Sequence, residues 1–370
     1  QKTAYEIMPS LVGSEMCIRD SDTTLQKLIN IDSVTGDEIL ILDFIEEFLS
    51  KNNFSGEIIR NDGGIIAIPK NSSQKIALVG HVDTVPVSKT QKIEFDDTDT
   101  IPGRGSVDMK GGISLILHSL VEENQDIVGV FYTAEEGPYE KNGLGELMPI
   151  ILGNKNLEFS IILEPTNCQI ELGCLGTLNA NIKLKGIAAH SARPWVGENP
   201  IYKIGDISKK VSENEITLLD IEGLEFKQVL SITTVSSGIA NNVIPDEAIL
   251  NINFRFSPEM SNDEAHNFIN HMFSEFGEIE ITSSSEGAMP NLGNSNVKNF
   301  ISSTGLSPNP KQAWTDIARF YSHDIPSVNF GPGDPLLAHT ADEHVSKKQL
   351  LESYESVSYT HLTLPTICSV

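Results

Sequence analysis

Residues 75–86 read KIALVGHVDTVP. The run from Ile76 to Gly80 is apolar, too short for a stable helix, and suits a strand covered on both faces. It ends on His81 and Asp83, side chains that bind rather than pack. Ligands in open α/β sheets gather outside the carboxyl ends of the strands, so this stretch predicts both a fold and the edge of a site. Further β-rich runs lie at 56–60, 65–69, 126–134, 159–164 and 325–331, the first two joined by an Asn-Asp-Gly-Gly turn at 61–64. Helical patterns fall between them at 112–122 and 143–152. Thr35 and Glu38 have capping-box spacing ahead of Ile41, Phe44, Ile45, Phe48 and Leu49, which predicts a helix to about Lys51. Strands alternating with helices predict an α/β layer with a largely parallel central sheet.

From about Gly176 to Ser285 the pattern changes. A strand (177–186), a helix (199–212), two strands (228–237 and 246–256), a helix (261–274) and a strand (277–283) follow in the order of a ferredoxin-like α+β arrangement. We therefore expect a first domain built from 21–175 and 286–356, with 176–285 inserted into it. Residues 1–20 and 357–370 carry no periodicity that continues into their neighbours. They resemble translated adapter read-through and are expected to be non-native tails.

The chain has 370 residues, enough for about two domains. Its 51 acidic against 26 basic residues give a formal net charge of −25, which argues against nucleic acid and against an anionic membrane surface as partners. No apolar run approaches the length of a membrane span, and the start does not read as a secretory signal, so a cytoplasmic location is expected. Cys17, Cys168, Cys174 and Cys368 have neither zinc-finger spacing nor a dense disulfide framework, and reduced thiols are expected.

Five further side chains extend the group begun by His81. Asp108 lies in the glycine-rich GRGSVDMKGG (103–112), Glu135 and Glu136 follow the strand ending at 134, and Glu164 and His339 follow the later ones. The steps 81–108 and 108–135 are each 27 residues, and 136–164 is 28, about one strand-helix-strand unit. The glycine-rich loop matches neither dinucleotide nor P-loop spacing, so its glycines are better explained by close approach of Asp108 to a cation. Singly, any of these residues is most simply a satisfied or solvated side chain. Together, two histidines and several carboxylates supply the nitrogen and oxygen donors that zinc takes.

These stretches resemble a known family. GHVDTVP (80–86), GRGSVDMKGG, TAEEG (133–137), EPT (164–166), 186–201, 241–258 and LAHTADEHV (337–345) are similar to the dinuclear zinc amidohydrolases that include acetylornithine deacetylase, succinyl-diaminopimelate desuccinylase and glutamate carboxypeptidase. The likeness covers about residues 23–355. NGLGEL (142–147), GCLGTL (173–178), AWTDIARF (313–320) and 329–345 most resemble the actinobacterial desuccinylases within it. The resemblance implies a zinc-aminopeptidase-like catalytic domain with an inserted dimerisation (lid) domain. It implies two Zn²⁺ per subunit, with Co²⁺ or Mn²⁺ as possible substitutes: His81 and Glu164 on one ion, Glu136 and His339 on the other, Asp108 bridging. It further implies Asp83 as the carboxylate orienting His81, Glu135 as general base toward a metal-activated water, and a cis peptide at Asp108–Met109.

The expected substrate is a small N-acylated amino acid, N-succinyl-LL-2,6-diaminopimelate, cleaved to succinate and LL-2,6-diaminopimelate in lysine biosynthesis. The resemblance assigns an oxyanion donor to His190 of a partner subunit, hence a homodimer through 176–285. It assigns carboxylate binding to Arg255 and a polar contact to Asn242, with Thr315 and Gly333 as further candidates. Where Gram-negative relatives carry an arginine near Gly176, this chain has Cys174 and Leu175, and Arg193 could substitute. Another N-acyl amino acid deacylase, a metallo-exopeptidase, or a non-catalytic binding protein on the same fold are the alternatives.

Overall fold

The computed structural model describes residues 21–70, 75–87, 99–121, 127–153 and 156–363. Its contacts divide the chain into two compact units. The first contains the chain up to Leu172, Asn291–Asn309 and the chain from Arg319 on. The second contains Gly173–Pro290 and Pro310–Ala318, so it extends beyond the expected 176–285 at both ends and recruits a later segment.

In chain order the first unit starts with α1 (residues 21–29), α2 (Ile39–Lys51), β1 (Gly56–Asn61), β2 (Gly64–Pro69), β3 (Ile76–His81) and β4 (Thr100–Pro102). It continues with α3 (Lys110–Val121), β5 (Ile127–Tyr132), α4 (Leu144–Gly153), β6 (Phe159–Ile162) and β7 (Ile170–Leu172). The second unit has β8 (Gly176–Lys185), β9 (Ala189–His190), α5 (Ile201–Ser212), β10 (Ile216–Ile221), β11 (Leu224–Ser237), β12 (Val243–Ile244), β13 (Glu247–Phe256), α6 (Asn262–Phe273) and β14 (Glu278–Ser285). After it come α7 (Ser295–Thr304), β15 (Pro308–Pro310), α8 (Ile317–Tyr321), β16 (Ser327–Asn329), β17 (His344–Ser346) and α9 (Lys347–Thr363).

The main sheet has the order β1-β2-β5-β3-β6-β16-β7-β15. Its centre is parallel: β3 pairs with β5 and β6, and β6 with β16. Antiparallel β1 and β2 extend one side, and β7 joins β16 antiparallel on the other. All six residues of β3 and of β5 are buried, as a strand covered on both faces requires, which explains their unbroken apolar sequences. Helix α3 is buried along nearly its whole length. At Gly112 the helix comes so close to the Leu163 carbonyl that an added Cβ would lie 2.5 Å from that oxygen.

The sheet of the second unit has the order β10-β11-β13-β8-β14, all its pairs antiparallel. Alternate residues of β8 and β13 (Leu178, Ala180, Ile182; Leu250, Ile252, Phe254) pack with Ile207 of α5 and Ile269 and Phe273 of α6. The opposite face carries Asn179, Asn181, Asn251, Asn253 and Arg255, half-buried. Strand β10 was not expected. Its residues are mostly exposed, so ITLLDI shows no clean alternation, and it is held as a hairpin to β11 through a two-residue turn, Glu222 and Gly223, both at positive φ.

One further reading is corrected. The capping box at Thr35 and Glu38 does not form: α2 runs to Lys51, but its N-cap Glu38 makes no side-chain cap bond. The expected chain boundary at 356/357 falls inside α9, and Val357 is fully buried. The other expected tail, 1–20, lies outside the described residues, as do Cys17 and Cys368.

Candidate metal centre

Each of the four central strands delivers a ligand-type side chain past its carboxyl end. His81 is the last residue of β3. Glu135 and Glu136 follow β5, Glu164 follows β6, and His339 lies ten residues beyond the end of β16. Asp108 arrives from the loop that opens α3, across the cis peptide Asp108–Met109. Its carboxylate lies between the two imidazoles: Oδ1 is 3.0 Å from His81 Nε2, and Oδ2 is 3.3 Å from His339 Nε2. His339 Nε2 is also 2.7 Å from Glu136 Oε1.

Donor atoms of His81, Asp108 and Glu164 lie within 4.8 Å of one another, and so do those of Asp108, Glu136 and His339 and those of His81, Glu135 and Glu136. Two of these triads share Asp108. His81 and Glu164 are buried, Asp108, Glu135 and Glu136 are half-buried, and His339 is exposed.

The electrostatics favour a cation here. Hydrogen bonds to Asp108 and Glu136 push His339 up to about 10. Burial alone would lower His81, yet the carboxylates of Asp108 and Asp83 outweigh it and raise the ring well above its ordinary value. Burial likewise works to raise Asp108, but the two imidazoles hold it well below the usual carboxylate range. The carboxylates draw positive charge onto both rings, and a divalent ion satisfies the same field with nitrogen and oxygen donors in place of protons.

Asp83 is fully buried and holds more than His81. Its carbonyl oxygen is 3.0 Å from His81 Nδ1, nearer than its carboxylate at 3.4 Å. The Nδ1 proton thus goes to the carbonyl, and Nε2, which faces Asp108, is the nitrogen that would exchange its proton for an ion. The carboxylate instead accepts the N–H groups of Glu135 (3.0 Å) and Glu136 (3.1 Å) and the Thr35 hydroxyl (2.8 Å). Glu38 accepts from Gly36 N–H (2.9 Å) and from Ala134 N–H (3.2 Å), just before the glutamate pair. Thr35 and Glu38, the apparent capping box, are thus committed to the Asp83 carboxylate and to the Ala134 N–H respectively. Sequence reasoning also missed Arg104 and Glu343, both buried beside Asp108, although each lies inside a motif already singled out.

The remaining candidates are local features of one unit or the other. Gly333 belongs to the first: it is buried at φ 99°, its N–H donates to Gln349 and its carbonyl accepts from Asn167, so its backbone is committed within the chain. In the second unit, His190 is exposed on β9, and its Nδ1 accepts the Ala192 N–H (3.0 Å), which puts the proton of the neutral ring on Nε2. Asn242, also exposed, accepts the Ser191 N–H through its carbonyl (2.9 Å). Arg193 is exposed next to a short 3₁₀ turn. Thr315 is buried, and its hydroxyl has no hydrogen-bond partner among the described residues. Arg255 is half-buried on β13, and its Nε donates to Asn253 Oδ1 (3.1 Å). Asn253 Nδ2 in turn donates to Asn179 Oδ1 (3.0 Å), and Asn179 Nδ2 to the Ser283 hydroxyl (3.1 Å). Burial lowers the Arg255 guanidinium from its ordinary value, and no ion pair engages it among the described residues.

With this geometry in place, the class follows: the chain belongs to peptidase family M20/M25/M40, whose family model matches residues 77–362. Membership makes it a metal-dependent hydrolase. It is 34% identical over 340 residues to the succinyl-diaminopimelate desuccinylase of Corynebacterium glutamicum, covering 88% of this chain and 92% of the relative. It is 38% identical over 323 residues to a Mycobacterium tuberculosis protein provisionally named a succinyl-diaminopimelate desuccinylase, covering 86% and 91%. Among solved structures, a Staphylococcus aureus tripeptidase has the same fold, with a TM-score of 0.74 at 20% identity over 93% of this chain and 97% of the other. No helix among the described residues is long and apolar enough to cross a membrane.

Proposed function

We propose that the protein hydrolyses N-succinyl-LL-2,6-diaminopimelate to succinate and LL-2,6-diaminopimelate, with two divalent ions, Zn²⁺ for preference, held by the strand-end cluster. One observation carries the reading: the Asp108 carboxylate lies between His81 and His339, with Glu164 completing one triad and Glu136 the other. The names of the relatives at 34% and 38% identity support the choice of substrate. His81, Asp108 and Glu164 would hold one ion, Asp108, Glu136 and His339 the other. When bound, two such ions polarise an amide carbonyl and lower the pKa of water.

The remaining work falls to the protein. Glu135 takes a proton from the attacking water and delivers it to the leaving amine nitrogen, so water adds across the amide bond. Asp83 fixes the backbone of both glutamates, and both carboxylates reach the cluster beside His81. His190, with its proton on Nε2, would supply a hydrogen bond to the developing oxyanion from a partner subunit. The exposed Trp195, Tyr202 and Ile239 of the second unit support a homodimer through that unit. Arg255 would bind a substrate carboxylate, with Asn242, Arg193 and Thr315 as further polar contacts. The free, buried thiols of Cys168 and Cys174 support a reducing, cytoplasmic setting.

The test is Glu135→Ala. The variant should retain about two ions per chain and lose roughly 10²–10⁴-fold in turnover of the succinylated substrate. Turnover at the wild-type rate would overturn the assignment of the base. Two tightly bound ions with no turnover in the wild type would favour a binding protein on this fold.

A further inference from the structure

Glu343 is a fully buried carboxylate that none of the proposed chemistry uses, and Arg104 beside it is nearly as buried. They are 239 residues apart in sequence. Arg104 belongs to the loop that carries Asp108, and Glu343 to the segment that carries His339. Glu343 Oε2 accepts from Arg104 Nη1. Its Oε1 accepts the backbone N–H groups of Val107 (3.1 Å) and of Asp108 itself (3.3 Å). The second nitrogen of the fork, Arg104 Nη2, donates to the His339 carbonyl (3.2 Å). Below the pair, Gly103 N–H donates to the Glu343 carbonyl (2.9 Å), and β4 and β17 pair as a two-stranded ladder.

A buried ion pair placed only for stability is poor value, because desolvation of both charges offsets most of their attraction. This one does more than pair. Its carboxylate is bonded to the two amides at Asp108, and its guanidinium to the carbonyl of His339, a non-glycine residue at φ 64° whose left-handed backbone must be held from outside. Fork geometry matters here, since one planar group spans two acceptors on different segments.

We propose that the Glu343–Arg104 pair is a clamp that sets the spacing of Asp108 and His339, and so selectively determines affinity for the ion held by Asp108, Glu136 and His339. Both are positioning residues rather than catalytic ones. The inference rests on the two-ion reading given above. The other ion keeps His81 and Glu164, which the clamp does not touch, so its affinity changes less.

The experiment is a calorimetric Zn²⁺ titration of metal-stripped protein, run on the wild type, Glu343→Gln and Arg104→Lys. Glutamine preserves shape but makes one of the two acceptor positions a donor. Lysine keeps the charge beside Glu343 and cannot span both acceptors. For each variant we expect one of the two ions to bind about 10–100-fold less tightly, as for other residues that orient metal ligands. The other ion should shift by less than about threefold. If Glu343→Gln fails to fold, Arg104→Lys decides alone. Equal weakening of both ions, or a lowered melting temperature with both affinities unchanged, would mean a purely structural pair and overturn the clamp. A wild type that binds fewer than two ions would instead overturn the two-ion reading beneath it.

Discussion

Replacing Asp83 with asparagine changes one atom and removes one charge, and the structure says where the damage falls. Oδ1 faces Glu135 N–H at 3.0 Å and His81 Nδ1 at 3.4 Å, while Oδ2 faces Glu136 N–H at 3.1 Å and the Thr35 hydroxyl at 2.8 Å. The new NH₂ must take one of these places. In place of Oδ1 it meets a backbone donor and an imidazole nitrogen whose proton is already directed at the Asp83 carbonyl. In place of Oδ2 it meets a backbone donor and a hydroxyl that can rotate to accept. The second arrangement costs less, so the bond to Glu136 N–H is the one lost. A hydrogen bond to a charged group is worth about 1.5–3 kcal/mol, and the surviving bonds weaken when the acceptor becomes neutral, so about 3 kcal/mol of stability should go. Metal affinity should fall roughly 10–100-fold, through Glu136 rather than Glu135. Burial works to raise the Asp83 pKa, but His81, Thr35 and the Glu135 amide together hold it below the ordinary 3.8. Its contribution is therefore full above about pH 4 and lost as pH falls below that. Urea denaturation of metal-stripped wild type and variant at pH 7 and near pH 3 measures both effects, with the difference shrinking at the lower pH. A difference below about 0.5 kcal/mol at pH 7, with metal affinity unchanged, would refute the reasoning.

Phe254 is buried and stacks on Phe268 with ring centroids 4.8 Å apart, so Phe254→Ala should destabilise the second unit by about 3–5 kcal/mol in denaturant melts while the metal content of the first unit stays the same. Burial pushes the thiols of Cys168 and Cys174 up to about 11 from an ordinary 9.0. Both should therefore alkylate slowly at pH 8, with a thiolate fraction of about 0.1%, as mapped by peptide mass. The same shift favours the folded state up to about pH 9, and stability should fall between about pH 9 and pH 11. Asn253 orients Arg255 through its Oδ1, so Asn253→Leu should raise KM for the succinylated substrate about tenfold while changing kcat by less than about threefold; the reverse pattern would remove Arg255 from substrate binding.

The parts of the site that were legible in the sequence are those carried by a single short segment. A buried parallel strand must be apolar on both faces, so a histidine or glutamate just past its end stands out, as His81, Glu136 and Glu164 do. The parts that were not legible depend on pairing between distant segments. Nothing in GRGSVDMKGG says that Arg104 will meet Glu343, because a buried ion pair looks locally like two surface charges. Thr35 and Glu38 illustrate a second limit. Their spacing is that of a capping box, but the tertiary structure engages both side chains elsewhere, the Thr35 hydroxyl donating to the Asp83 carboxylate and Glu38 accepting the Ala134 N–H, and a pattern read along one helix does not contain that competition. Strand β10 went unseen for a third reason: its side chains are mostly exposed, so no alternation was imposed on them.

Substrate choice separates a desuccinylase from other N-acyl amino acid deacylases most directly. Rates of amide hydrolysis measured side by side on N-succinyl-LL-2,6-diaminopimelate and N-acetylornithine, with the protein loaded with Zn²⁺, should favour the succinylated substrate by at least about 100-fold in kcat/KM, a difference of about 2.7 kcal/mol in transition-state binding. Equal rates, or faster cleavage of the acetylated compound, would contradict the desuccinylase reading.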